Sequence, residues 1–578
     1  LFNELLRLPL LRFLFIGLGC AASFVFVPIV AATQTSDLPP VLLAMKLELD
    51  RSMRELGRLE TPPYYMSYGI SEQRSLTLTA TFGKVEVDNT SHRRILDIDL
   101  RVGTHEMDNT RIIRGVAFEM GRGSRGVKLP LGEDVAALRS MIWQATDRAY
   151  KSAAERLGKV TTNREVKVKE EDTSSDMSIE KSHNHIGELR DLPVDTAAWR
   201  VRVANVTSVF AGVPDLYAGS MSFTVDNAVK YFVNSEGSII RTVEPIIKVM
   251  LQVKAKADDG MSIPLYRSYS AYDQANLPSE AQFKRDAQTL VDLAIQLRTA
   301  PLTDTYTGPA ILSGRAAGVF FHEIFGHRVE GHRQKDANSS QTFKAFLNKK
   351  ILPDFINVVF DPQLLQRDGV DLAGHYMFDD EGVPGQRVVA VEKGIFKNFL
   401  MSRSPIENFP NSNGHGRRQA GNRCVSRQSN LIVEAEQAVS PDSLRALLRL
   451  ECAKQAKEYG LLFEDIEGGF TFTQRTLPNS FNVSPLVVYK IYADGRPDEL
   501  VRGIDLIGTP LATFNNIIAA STDVEVFNGT CGAESGWVPV SASSPSLLVS
   551  AVEVQKKQKS QAKLPILSDP TVQTGVSP

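Results

Sequence analysis

Apolar and polar positions recur along this chain with two periods, and each change of period marks a change of element. Residues 41–56 have helical spacing that stops at Gly57, and residues 64–102 read as several strands. In the last of these, Leu96, Ile98, Leu100 and Val102 alternate with Asp97, Asp99 and Arg101, a period of two that buries one face. Val135, Leu138, Met141, Ile142, Ala145, Ala149 and Ala153 then form the stripe of a long helix predicted to end at Gly158. The charged, Ser-rich residues 161–185 are predicted to be a mobile loop, with His183 and His185 solvated rather than bound to metal. Residues 199–257 return to strand character through Val201, Val203 and Val206. Ser279 with Gln282 has the pattern of a capping box ahead of a stripe made by Phe283, Ala287, Leu290, Ala294 and Leu297.

These elements predict an α+β protein. Residues 38–300 form an N-terminal α/β domain with mixed sheets and long helices, and residues 305–555 a mainly antiparallel β domain. A late helix is capped by Ser440, carries Pro441 in its first turn and is predicted to close at Gly460. Residues 556–578 read as a polar tail. Residues 1–32 combine Arg7 and Arg12 with an apolar run over 13–30 and the small pair Ala31-Ala32. That pattern predicts a signal peptide or an N-terminal anchor, and with it an exported protein, periplasmic or secreted.

Composition narrows the function without naming it. The 578 residues hold 65 Lys plus Arg against 67 Asp plus Glu, a net charge of −2, so no nucleic-acid partner is predicted. Four cysteines are too few for a disulfide scaffold.

The chemistry lies in Gly318-Val-Phe-Phe-His322-Glu323-Ile-Phe-Gly326-His327-Arg-Val-Glu330-Gly-His332. Neutral imidazoles bind Zn2+, and a Glu beside the first ligand can take a proton from water on the metal. The usual spacing of four sets two histidines about 40° apart on a helix, whereas five sets them about 140° apart. The rings converge only if the helix holds a π-bulge or unwinds near Gly326. A zinc site needs a third protein ligand, and Cys531, in a glycine-rich turn, is the best candidate. Cys452 continues the Leu444, Leu448 stripe and reads as a buried thiol; Cys424 reads as an ordinary loop residue.

Beyond these residues stand Asp379-Asp380-Glu381-Gly382, Asn413-Gly414-His415-Gly416-Arg417-Arg418, Gly508-Thr509-Pro510 and the Cys531-Gly532 to Pro539 block. Together with the His322 segment they resemble the TldD/PmbA metallopeptidase family across residues 306–554. The resemblance implies a zinc-dependent peptidase of the active, TldD-like type that hydrolyses unstructured or small peptides. In it His322, His327 and Cys531 are the metal ligands and Glu323 is the base. It also implies a homodimer, or a heterodimer with a related TldE/PmbA-like subunit. Two features depart from the family: its members typically lack an export signal, and His332 stands where active subunits usually carry an acidic residue.

Arg417 and Arg418 are candidate substrate-binding groups, and the Asp379–Glu381 run reads as a surface turn. Two other functions use the same ligands. One is a non-catalytic binding or assembly subunit with a structural metal; the other is a zinc amidase acting on cell-wall peptides.

Overall fold

A two-residue turn at Phe82 and Gly83, both with positive φ (46° and 83°), joins β1 (Pro63–Thr81) to β2 (Lys84–Val102). Turns of that hand match the twist of the strands they connect. In the computed structural model, which describes residues 38–113, 126–165, 172–213, 215–336, 339, 341–471 and 481–557, these strands begin a seven-stranded sheet. β3 (Leu216–Asn234), β4 (Ile239–Lys256) and β5 (Ser262–Ala271) extend it, each antiparallel to its neighbour, with β3 beside β1. The short strand Asn184–Ile186 joins β4 in parallel.

The helices of this half are α1 (Pro40–Leu56), α2 (Val135–Glu165), α3 (Thr196–Thr207) and α4 (Glu280–Thr299). Trp199, Val203 and Val206 of α3 pack with Phe283, Ala287 and Leu290 of α4 against Phe223 and Val249 of the sheet. Ser279 caps α4 as expected, accepting from the Gln282 N–H at 3.2 Å.

Three expectations for this half are corrected. Residues 199–207 are helical, not extended: Trp199, Val203 and Val206 recur at helical spacing, Val201 is 60% exposed, and Asp195 caps the start by accepting from the Ala198 N–H. α2 runs through Gly158 to Glu165, since one glycine costs a helix only about 1 kcal/mol. The loop expected to be mobile is tied down from Asp172 onwards. The Ser178 N–H donates to the Arg403 carbonyl (2.9 Å), the Glu407 N–H to Asp172 (3.2 Å) and Lys335 Nζ to Asp176 (3.2 Å). Residues 166–171 of that stretch lie outside the described residues.

The second half is built on β6 (Tyr306–Leu312), α5 (Gly314–Ile324), β7 (Ile356–Phe360), β8 (Val388–Glu392) and β9 (Asn430–Ala435). α6 (Pro441–Lys454), β10 (Tyr459–Thr471), β11 (Phe481–Tyr492), β12 (Ile504–Gly508), β13 (Ile517–Ala533) and β14 (Gly536–Lys556) follow. Its eleven-stranded sheet is mainly antiparallel; β9 with β14 and β6 with β10 are parallel pairs. Because β6 also pairs with β14, the strands β14, β12, β11, β10 and β6 close on themselves. α5 is buried beside them, its Phe320 and Phe321 packed on Phe481 and Phe514.

α6 ends at Lys454, short of Gly460. Ala456 takes φ 52° just beyond the helix, and Gly460 lies in β10 under it, where a Cβ would meet Leu448 Cδ1 at 2.6 Å. The α+β class expected from the sequence holds. The segment expected as a signal peptide or anchor, residues 1–32, lies outside the described residues, among which no helix is long and apolar enough to cross a membrane.

Candidate metal centre

The site is set by how α5 lies against β13 and β14. Ser313 caps the helix by accepting from the Ala316 N–H (3.1 Å). Gly314 and Gly318, one helical turn apart, face the strands closely. A Cβ at Gly314 would stand 2.5 Å from the Ser544 carbonyl oxygen, and one at Gly318 3.1 Å from that of Ala542. Glycine here lets the helix touch strand backbone, and His322, four residues further, shares that face.

α5 stops at Ile324, and Gly326–Arg328 form a single 3-10 turn. Of the two ways to reconcile a five-residue spacing, the helix takes unwinding. Glycine here leaves room for the Gln428 amide: a Cβ at Gly326 would lie 1.8 Å from Gln428 Oε1 and displace it. Gln428 in turn donates from Nε2 to the His322 carbonyl (3.2 Å), and Arg328 donates to the carbonyls of Glu323 (3.2 Å) and Ile324 (2.9 Å). These bonds satisfy carbonyls left open at the helix end.

The turn brings the His327 ring to 5.1 Å from that of His322, at 74° to it. Cys531 comes from β13, opposite Val538 of β14. Its Sγ lies 3.3 Å from His327 Nε2, and donor atoms of His322, His327 and Cys531 all fall within 4.8 Å of one another. All three residues are buried.

Burial raises the Cys531 thiol, but the imidazoles of His327 and His322 outweigh it and hold the thiol well below its ordinary range. Burial lowers His327, yet Cys531 and Glu330 leave it well above the usual imidazole value. Burial likewise raises Glu330, while His327, Arg333 and Arg427 hold its carboxyl at about 2. Both shifts favour a thiolate paired with an imidazolium, a donor pair whose shared proton a cation can replace.

The donors open onto a cavity of 430 Å3 whose walls include Val319, Glu323, Arg333, Phe527, Glu534 and Trp537. Glu323, half-buried, thus shares a cavity with His322, His327 and Cys531.

Arg417 and Arg418 are not among its lining residues. Arg417 is buried, donates to the Gln428 carbonyl (2.6 Å) and stacks on Tyr376; Arg418 faces Asp97 and Gly69. Asp379 and Glu381 are buried, not on a surface turn. Burial raises both carboxyls, Asp379 further because Glu381 is beside it. His332 contacts Glu534, whose other oxygen lies 3.0 Å from Arg333. Cys452 is buried in an apolar cluster, and Cys424 takes no part in the donor group. Sequence reading gave no role to Gln428, Arg427 or Arg333. Arg427 has no motif of its own, and only the fold carries it to Cys531.

Residues 304–556 match the model of the PmbA/TldA metallopeptidase C-terminal domain. A metalloprotease of Archaeoglobus fulgidus is 29% identical over 241 residues, covering 42% of this chain and 51% of that protein. A zinc metalloprotease TldD homolog of Saccharolobus solfataricus is 28% identical over 249 residues, 43% of this chain and 51% of that protein. The chain thus spans about half the length of these two curated relatives. Among solved structures, TldE from Thermococcus kodakarensis superposes with a TM-score of 0.57 at 13% identity, covering 89% of this chain and all (100%) of that one. A candidate modulator of a DNA gyrase from Thermotoga maritima gives 0.58 at 15%, covering 88% and 99%. At these identities the likeness is one of fold.

The exported location expected from residues 1–32 is corrected. The relatives, a TldD homolog of Buchnera aphidicola among them, are described as metalloproteases with no mention of export, and among the described residues no helix is long and apolar enough to cross a membrane.

Proposed function

The chain belongs to the PmbA/TldD metallopeptidase family through residues 304–556, and from that premise we propose a zinc-dependent metallopeptidase that hydrolyses unstructured or small peptides. His322, His327 and Cys531 would hold the zinc. Their chemistry fits: bond lengths of about 2.3 Å to sulfur and 2.0–2.1 Å to nitrogen put tetrahedral S and N donors about 3.5 Å apart. Cys531 Sγ and His327 Nε2 stand at 3.3 Å, and Nδ1 of His322 is buried without a hydrogen-bond partner.

Bound there, zinc supplies Lewis acidity that polarises the scissile carbonyl and makes water a nucleophile near neutral pH. Glu323 accepts the proton of the attacking water on its carboxylate and returns it to the leaving amine. Val319 and Val540, almost fully buried, keep the inner wall apolar. Among the described residues β13 pairs with β14 and makes one further bridge, from Ser521 to Val439. Beyond that bridge its other edge offers an extended peptide backbone pairing that asks little of side chains. A homodimer, or a heterodimer with a related TldE/PmbA-like subunit, belongs to the same proposal.

What carries this reading is the meeting of two imidazoles and a thiolate, from segments 204 residues apart, in a cavity that also holds a carboxylate. An open cavity beside the donors favours catalysis over a purely structural metal. Replacing Glu323→Gln tests it. Zinc content should stay at one per chain while cleavage of an unstructured peptide falls by about 10²–10⁴-fold. Full activity in that variant would remove Glu323 as the base.

A further inference from the structure

Behind the three donors lies a buried ionic network that the mechanism above leaves unused. Glu330 and Arg427 are both completely buried. Arg427 donates from Nη2 to Cys531 Sγ (3.2 Å) and to the Cys531 carbonyl (2.8 Å). From Nη1 it donates to Ser535 Oγ (2.8 Å) and to the Gly536 carbonyl (3.0 Å), so one side chain clasps the β13–β14 hairpin. Its third nitrogen, Nε, stands 3.3 Å from Glu330 Oε1. The same oxygen stands 3.3 Å from His327 Nδ1, while Arg333 Nε donates to Glu330 Oε2 (2.9 Å). His327 Nδ1, Glu330 Oε1 and Arg427 Nε are buried without a formal hydrogen bond, and the two nitrogens meet Glu330 Oε1 as ion-pair contacts at 3.3 Å.

Burying such charges is costly, and well-packed apolar residues often serve stability as well or better. The contacts of this network suggest another use. A histidine binds metal through one ring nitrogen only if the other carries the proton, and a carboxylate behind that nitrogen selects the tautomer. An N–H donated to a thiolate holds the sulfur in place and draws charge from it, which weakens it as a donor to metal.

We propose that Glu330 and Arg427 are positioning residues that join His327 and Cys531 into one preorganised ligand pair. Glu330 keeps the proton of His327 on Nδ1 and leaves Nε2 to the metal. Arg427 fixes Cys531 Sγ and sets its donor strength. The inference rests on the metal-centre reading above.

The test uses the full chain, with zinc affinity measured by chelator competition and the cobalt-substituted protein examined by absorption. Glu330→Gln, nearly isosteric, should fold like the native chain by circular dichroism yet bind zinc about 10–100-fold more weakly. Arg427→Gln frees the sulfur and returns charge to it, so it should shift the thiolate-to-cobalt charge-transfer band and move zinc affinity away from the native value. Arg427→Lys, keeping the charge without the fork, should shift that band too. If the Arg427 variants fail to fold, Glu330→Gln carries the test alone. Native affinity together with an unchanged cobalt spectrum in the folded variants would overturn the proposal. Failure of the native chain to bind zinc would overturn the metal-centre reading and this inference with it. Zinc binding by the native chain without peptide cleavage would overturn only the peptidase, and the affinities would still decide the network.

Discussion

Burial acts on single residues most plainly at His415, whose imidazole it pushes down to about 3. Nδ1 lies 3.1 Å from the Asn413 carbonyl and Nε2 3.1 Å from Ser429 Oγ. The unfolded imidazole takes up its proton near 6.5, well before the folded one, so the neutral buried ring favours folding fully only above that pH. As pH falls below about 6.5 this contribution declines by up to about 1.4 kcal/mol per unit. His415→Gln should therefore flatten the dependence of the urea midpoint on pH between 6.5 and 4, and an unchanged slope would refute the argument. At the donors, Cys531→Ser replaces a soft thiolate by a hydroxyl, and dialysis should strip zinc that the native chain retains. That these three side chains could meet was legible in the sequence because each stands among apolar residues or glycines where solvation offers no other use for it. Arg427 and Glu330 were not, since a charge that works only when buried looks like any surface charge. Arg417 and Arg418 misled for the same reason: their neighbouring glycines suggested an open loop, and the fold sets Arg417 against Tyr376 instead.

At the scale of elements, α5 depends on two glycines that are tight to different degrees. At Gly318 a methyl group would stand 3.1–3.4 Å from Ala542, a crowding that a small shift could relieve. At Gly314 it would meet the Ser544 carbonyl at 2.5 Å and the Glu525 backbone nitrogen at 2.9 Å, and neither strand can give way locally. Gly314→Ala should cost about 1–3 kcal/mol of stability, and Gly318→Ala less. Because either change lifts His322 away from the hairpin bearing Cys531, both should also weaken zinc binding, in the same order. Equal effects, measured by urea unfolding and chelator competition, would contradict this account of the packing. The His322 spacing foretold a break in this helix because the geometry allows nothing else, although it left open a bulge or an unwinding. α3 went unread as a helix because its valines suggested a strand, and only the burial of Trp199, Val203 and Val206 on one side settles the period. Gly460 reads in the sequence as a helix stop, yet its need is a close approach of α6, which no local pattern records.

For the molecule as a whole, the joint between its two sheets turns on Arg403. The residue lies beyond β8 in the second half and is 1% exposed. Its guanidinium grips both oxygens of Glu236, at 2.6 and 2.7 Å, in the turn between β3 and β4. It also donates to the Ser178 carbonyl (2.6 Å) and lies over the Tyr65 ring of β1, 4.9 Å from its centre. One cation thus joins the first sheet, the tied segment beginning at Asp172 and the half that carries the candidate metal centre. Arg403→Met keeps much of the volume but strands Glu236, and breaking a buried pair in this way costs about 3–5 kcal/mol. Glu236 is 22% exposed and can turn partly to water, so the lower end is expected. Trp199 of α3 is buried against the first sheet whereas Trp143 and Trp537 are about half exposed, so the fluorescence change on unfolding reports mainly the first half. In Arg403→Met that signal should unfold at lower urea than the release of zinc. In the native chain the two should move together. Adding Glu236→Gln removes the stranded charge and should restore part of the gap. Transitions that stay superimposed in Arg403→Met would mean that the sheets are coupled by apolar contact alone, with Arg403 filling space between them.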